Sequence, residues 1–178
     1  MKKAILAILA LILIAGGTFF YINSEDNYDK SKYFAKVTPP NKPLSVGSQI
    51  DFTLPDQFSK PHSLKEDTKI LIMTFSKEAA HTVKNFLKKQ PKGYLEEKKA
   101  MFIADISPMP TVIRNAFALP DLKKSSYTIL LIYDKEIAKK LKNEDKKNLI
   151  EIARLNNKKA EDIKYVKTAK KLQEILEK

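Results

Sequence analysis

The sequence predicts an α/β fold: a mixed sheet flanked by helices, with an N-terminal hairpin and one apolar N-terminal helix. Three observations predict it. Residues 69–75, 100–106 and 127–133 are nearly continuous apolar runs, the signature of strands buried on both faces. Between them lie segments with apolar residues at helical spacing. After them come two further strand-like segments and an amphipathic stretch. Strands alternating with helices imply a parallel segment with right-handed crossovers, and the closing strand pair suits antiparallel addition to the same sheet.

The first element follows Lys2 and Lys3. A stretch of 19 uncharged residues begins at Ala4 and ends at Ile22. At about 1.5 Å per residue it reaches roughly 28 Å, close to the hydrocarbon thickness of a bilayer. It is expected to be a transmembrane helix. The two lysines would hold the N-terminus in the cytoplasm, making this a single-pass protein of a bacterial inner membrane with its domain in the periplasm. A cleaved signal peptide is the competitor, with Leu6 to Ile14 as its hydrophobic region and cleavage after Gly17 releasing a soluble form. Against cleavage, the run continues through Phe19, Phe20 and Tyr21, rings suited to the outer interface.

Three regions follow: an anchor or signal segment, 1–23; an extended linker, 24–45, stiffened by Pro39, Pro40 and Pro43; and a domain, 46–178. Whether Tyr28, Tyr33 and Phe34 pack back on the domain is left open. Within the domain, Ile50, Phe52 and Leu54 alternate with polar residues, and a second short strand is expected at 62–64 after a turn. Ser76 is placed to cap a helix whose apolar face is Ala79, Ala80, Val83, Phe86 and Leu87. A short turn is expected at Tyr94 and Leu95, and a short helix over Val112 to Phe117 ended by Pro120. A lysine-rich helix or loop follows at 135–147. Leu149 to Leu155 reads as a strand, Asn156-Asn157 as a hairpin turn and Ile163 to Val166 as the returning strand. Thr168 caps a last helix with Ala169, Leu172, Ile175 and Leu176 on its apolar face.

Composition excludes several chemistries. There is no cysteine, so disulfide exchange, thiol peroxidase chemistry and thiolate metal sites are impossible. Four glycines, scattered, build no phosphate-cradling loop. His62 and His81 have no nucleophile at a recognisable spacing; His62 is expected to be exposed and His81 partly buried. The net charge of +12 comes from scattered lysines with interleaved acids, which reads as solvated surface, and a nucleic-acid partner is not expected. No catalytic, cofactor-binding or metal-binding residue is assigned.

Five residues are candidates for a ligand or partner site. Ser76 and Lys77 begin a helix, where free N–H groups and a lysine could meet an anion. Asp105 ends a buried strand at the carboxyl edge where α/β proteins bind ligands, unless it pairs with Arg114. Met109, between two prolines, could offer its thioether to a partner groove, and Tyr127 begins the third apolar run.

The segment from Val46 to Pro61, followed by Ser63-Leu64 and the run at 69–75, resembles the N-terminal hairpin and first core strand of the thioredoxin-like superfamily, in particular its peroxiredoxin-like and membrane-tethered members. That resemblance implies a thioredoxin-like sheet over about 46–178. Redox members carry Cys-x-x-Cys where this chain has Phe75-Ser76-Lys77-Glu78-Ala79-Ala80, and a cis-proline where the corresponding segment is taken as 125–129; this chain has neither. With Ala104-Asp105-Ile106-Ser107-Pro108-Met109-Pro110, the chain is also similar to cysteine-free exported bacterial proteins, some of them labelled FAD/FMN-containing dehydrogenases. Four glycines and about 135 residues offer a flavin dinucleotide no pyrophosphate turn, so no cofactor is expected. The expectation is therefore a membrane-anchored, periplasm-facing module that binds or scaffolds an envelope protein and has no enzymatic chemistry. A flavin-linked or other cysteine-free oxidoreductase accessory and a carrier of small anions or other ligands remain as alternatives.

Overall fold

The fold is built around a strand buried along its whole length. In the computed structural model, which describes residues 2–40 and 42–177 and the side chains of these except 2–7, 9 and 10, residues 70–74 are buried throughout. We number the strands β1 (Phe34–Thr38), β2 (Gln49–Pro55), β3 (Pro61–Ser63), β4 (Ile70–Thr74), β5 (Ala100–Asp105), β6 (Leu130–Ile132), β7 (Ile150–Asn156) and β8 (Lys159–Val166). The α-helices are α1 (Lys2–Ser24), α2 (Lys77–Leu87), α3 (Tyr94–Glu97), α4 (Thr111–Ile113), α5 (Leu119–Leu122), α6 (Lys135–Leu141) and α7 (Ala169–Leu176). Strands β4, β5 and β6 run parallel, while β7 lies antiparallel to β4 and β8 antiparallel to β7, giving a core order β6-β5-β4-β7-β8. This is the mixed α/β sheet that the alternation implied.

The N-terminal ribbon lies across this sheet. Strand β2 meets β8 at Gln49 and Lys159, and just beyond its end Asp56 bridges to Leu130 of β6, so it crosses from one edge strand to the other. Its inward residues Ile50, Phe52 and Leu54 join Met73, Ile103, Ile132 and Leu141 of α6 in one apolar layer. On the other face, Val83 and Phe86 of α2 and Leu172 and Leu176 of α7 pack on Ile72, Phe102 and Ile152. Full burial of side chains of this size stabilises by about 1.5–3 kcal/mol each, which is why the alternating and continuous apolar patterns determine the layers.

Several local expectations are corrected. The stretch 24–45 is not an extended linker throughout: 30–32 form a 3₁₀ turn, and Phe34–Thr38 pairs with β2 as β1. Its pattern of inward Ala35 and Val37 spans only five residues, too short a signal beside three prolines. Pro120 does not end its helix. The chain runs from α4 through a π turn at Arg114–Ala118 into α5, where the N–H of Leu119 reaches back five residues to the carbonyl of Arg114. Such a widened turn shifts the hydrogen-bond register just where proline has no N–H to give. The short turn expected at Tyr94 and Leu95 is present as α3, a single helical turn. Strand β6 is shorter than 127–133 because the Gln57 side chain takes the ladder's place: its amide donates to the carbonyl of Tyr127 and accepts from the N–H of Ile129, each at 2.9 Å. The hairpin turn falls one residue later than expected, at Asn157 and Lys158, both with positive φ (47° and 62°). Lysine gives no sequence signal for that conformation.

The apolar segment from Ala4 to Ile22 lies within α1. Among the described residues, no helix is long and apolar enough to cross a membrane.

Candidate functional site

Ser76, Lys77 and Asp105 sit at the carboxyl end of the parallel strands, as their positions implied. Ser76 is the N-cap of α2: its hydroxyl accepts from the N–H of Ala79 at 3.3 Å, while Lys77 is exposed beside it. The cap occupies one of the free helix donors, and replacing Ser76 with alanine is expected to destabilise the fold by about 1 kcal/mol, read from thermal melts of the two proteins. Asp105 ends the adjacent strand; Thr74 and Ala104, just before these positions, are register partners. Its carboxylate accepts from the N–H of Ser107 at 2.9 Å, and burial raises its pKa against the lowering effect of that bond and of Lys142. Met109 is half-buried and packs against the helical face of the core. Tyr127 lies apart from the others. It precedes a strand parallel to β4 and β5 and so sits at their opposite end, its hydroxyl donating to the carbonyl of Lys84 at 3.4 Å. The structure thus brings Ser76, Lys77 and Asp105 to one edge and leaves Tyr127 out.

The most built polar site on the molecule was not expected. Arg114 does not pair with Asp105. It is 5% exposed, and its guanidinium lies 4.7 Å from the ring centre of Tyr133 and donates to Asp26 at 2.8 Å, while its Nε is buried without an acceptor. Tyr28 stacks on Tyr133 at 4.7 Å on one side and on Tyr33 at 5.4 Å on the other. Burial, helped by Asp134, pushes the Tyr28 hydroxyl up to about 12. The Asn115 amide donates to the carbonyls of Asn23 (3.1 Å) and Glu25 (2.8 Å), filling acceptors that the end of α1 leaves open. Residues 23–33 are therefore strapped to the domain by one arginine, one asparagine and a stack of three tyrosines. A cavity of about 320 Å³ opens between this strap, Ile22, Pro120 and Lys123. Tyrosine stacking is a long-range pairing with no local spacing, and only the presence of Tyr28 and Tyr33 in a polar stretch hinted at it.

A second buried group is Glu151, 2% exposed, on the central strand β7 between Met73 and Tyr165. Burial pushes its carboxyl up to about 8 against a bond from the backbone N–H of Asn143, and its Oε1 has no partner. The two histidines exchange their expected environments. His62 is half-buried with Nε2 3.0 Å from the buried Asp56 carboxylate, whereas His81 is exposed on α2. Asp56 also accepts from the N–H groups of Phe58 and Lys60, so the pair reads as a turn clasp. Among the described residues, no group of three or more His, Asp or Glu is placed to hold a metal.

The strand that abuts β4 on its antiparallel side is β7, entered through Lys147-Asn148-Leu149, while 125–129 leads into the edge strand β6. Neither segment contains proline. No family model matches the chain, and no curated protein does. Solved structures do. A protein from Bacteroides thetaiotaomicron, provisionally named a protein disulfide isomerase, superposes with a TM-score of 0.50 over 75% of this chain and 87% of its own, at 15% identity. A peroxiredoxin-like protein from Aquifex aeolicus gives 0.50 over 80% and 89%, at 9% identity. The chain has a thioredoxin-like fold. It does so without a single cysteine, so the thiol chemistry of redox proteins on this scaffold is closed to it.

Proposed function

We propose that this protein is a membrane-anchored binding module, a thioredoxin-like domain that holds an envelope protein and transforms nothing through thiols. The observation that carries the reading is the absence of cysteine from a thioredoxin-like sheet whose helix cap at Ser76 and strand ends are intact. The uncharged stretch from Ala4 to Ile22, preceded by Lys2 and Lys3, supports an inner-membrane anchor with the domain on the periplasmic side. Two surfaces suit a protein partner. One is the edge with Ser76, Lys77 and Asp105. The other is β1, which shows Phe34, Lys36 and Thr38 outward and whose backbone, among the described residues, is met only by β2 and by the Lys140 ammonium, which donates to the Ala35 carbonyl at 3.0 Å.

Crosslinking in intact cells, affinity recovery of the full chain and quantitative mass spectrometry test this. The expected result is one envelope protein recovered in stoichiometric amount, and much less of it when Phe34 and Lys36 or Ser76 and Lys77 are replaced. Recovery of the chain alone from cells at native abundance would count against the binding reading. Extraction of the chain by alkaline carbonate would count against the anchor.

A further inference from the structure

We infer that the helical segment from Thr111 to Leu122 is a second membrane contact, seated in the headgroup region of the bilayer beside the anchor. The inference rests on the anchor reading and adds a surface to it. The segment presents two large apolar side chains to solvent, Ile113 (47% exposed) and Phe117 (59%), while Arg114 and Leu122 on it are buried. Exposed apolar residues four apart on a short helix, with polar and buried groups elsewhere, form an interfacial face. What covers that face is indicated by its neighbour. The Phe117 ring lies 6.1 Å from the ring of Phe19 in α1, and Phe19, Phe20, Tyr21 and Ile22 are all exposed. The apolar surface of the helix end therefore continues without a break onto Phe117.

Charge agrees with a lipid occupant. Of the nearby acids, Asp26 and Asp121 are paired with the buried Arg114 and Lys84, and Glu25 is exposed just beyond the end of α1. Lys123 and Lys124, at the end of the segment, are exposed and form no salt bridge among the described residues, which suits anionic phospholipid headgroups. The strap of Asn115 and Arg114 fixes the segment to the last turn of α1 and the residues just beyond it, so its depth is set by the helix: Phe117 sits level with Phe19, about one turn inside the end of α1 at Ser24.

Because the chain has no cysteine, one introduced cysteine is a unique label. The test uses the full chain reconstituted in phosphatidylethanolamine–phosphatidylglycerol vesicles, with Ile12→Cys, Ile113→Cys, Phe117→Cys and Lys170→Cys each carrying an environment-sensitive fluorophore. Labels at 113 and 117 are expected to shift to the blue and to lose most of their fluorescence to lipids with a nitroxide near the headgroup. The label at 170 should do neither, and that at 12 should be quenched by nitroxides deep in the acyl chain. Quenching at 12 with none at 113 and 117 overturns the second contact and leaves the anchor standing. No quenching at 12 overturns the anchor, and with it the proposal.

Discussion

Replacing Glu151 by glutamine is expected to stabilise the protein at neutral pH. In the unfolded chain this carboxyl ionises near 4.5; in the fold it holds its proton to about 8, because burial penalises the anion. Below about 4.5 both states are protonated and the group costs nothing. Between 4.5 and 8 the unfolded state releases its proton and the fold does not, so stability falls as pH rises; beyond about 8 the loss is constant. At pH 7 the penalty is ~3 kcal/mol, taking 1.36 kcal/mol per unit. Glutamine keeps the oxygen that meets the N–H of Asn143 and never ionises, but it places an unpaired amide hydrogen in the core, so the net gain is about 2 kcal/mol. In thermal melts of the full chain in mild detergent, that corresponds to about 4–8 °C at pH 7, with the difference shrinking toward pH 4.5. An equal difference at both pH values would refute the assignment.

Removing Arg114 is expected to cost the most among changes near α1. Arg114→Ala loses the face contact with Tyr133, worth about 1–2 kcal/mol when desolvated, and a charged hydrogen bond to Asp26 that solvent partly screens. With the packing of its buried stem, the total is about 2–3 kcal/mol. The loss is local in its consequence. The tyrosine stack loses the cation that lies against Tyr133, and residues 25–33 come away from the domain. Trypsin should then cut after Lys30 and Lys32 faster in the variant than in the parent, before the domain itself unfolds. Arg114→Lys keeps the charge but not the planar contact and should fall between the two. Unchanged cleavage in Arg114→Ala would mean that the strap is held elsewhere.

These two residues show where the sequence was legible and where it was not. The buried strands and caps were readable because their signals are local: 70–74 is apolar at every position but Thr74, and Ser76 and Thr168 stand directly before amphipathic faces and cap them. The mixed α/β sheet followed from their order. Strand β1 leaves no local signal because its support, pairing with β2 and burial of Ala35 and Val37, is long-range, and the apolar run 127–133 outlasts β6 because Gln57, some seventy residues away in sequence, takes its ladder bonds. At the candidate site, the edge with Ser76, Lys77 and Asp105 was found by position along parallel strands. The Arg114–tyrosine site was not, because Tyr28, Tyr33, Arg114 and Tyr133 meet only in three dimensions. Leu149 to Leu155 reads as a strand, but nothing local marks Glu151 as buried; that β7 is covered on both faces depends on β2 crossing the sheet.

Binding without chemistry is the property on which the proposed function depends. Native mass spectrometry of the full chain extracted from its own membranes in mild detergent tests this most directly. The expected result is a colourless complex whose mass exceeds that of the 20.3 kDa chain by that of a second polypeptide. A chain found alone, its mass raised instead by a small coloured group that stays bound through extraction, would contradict it.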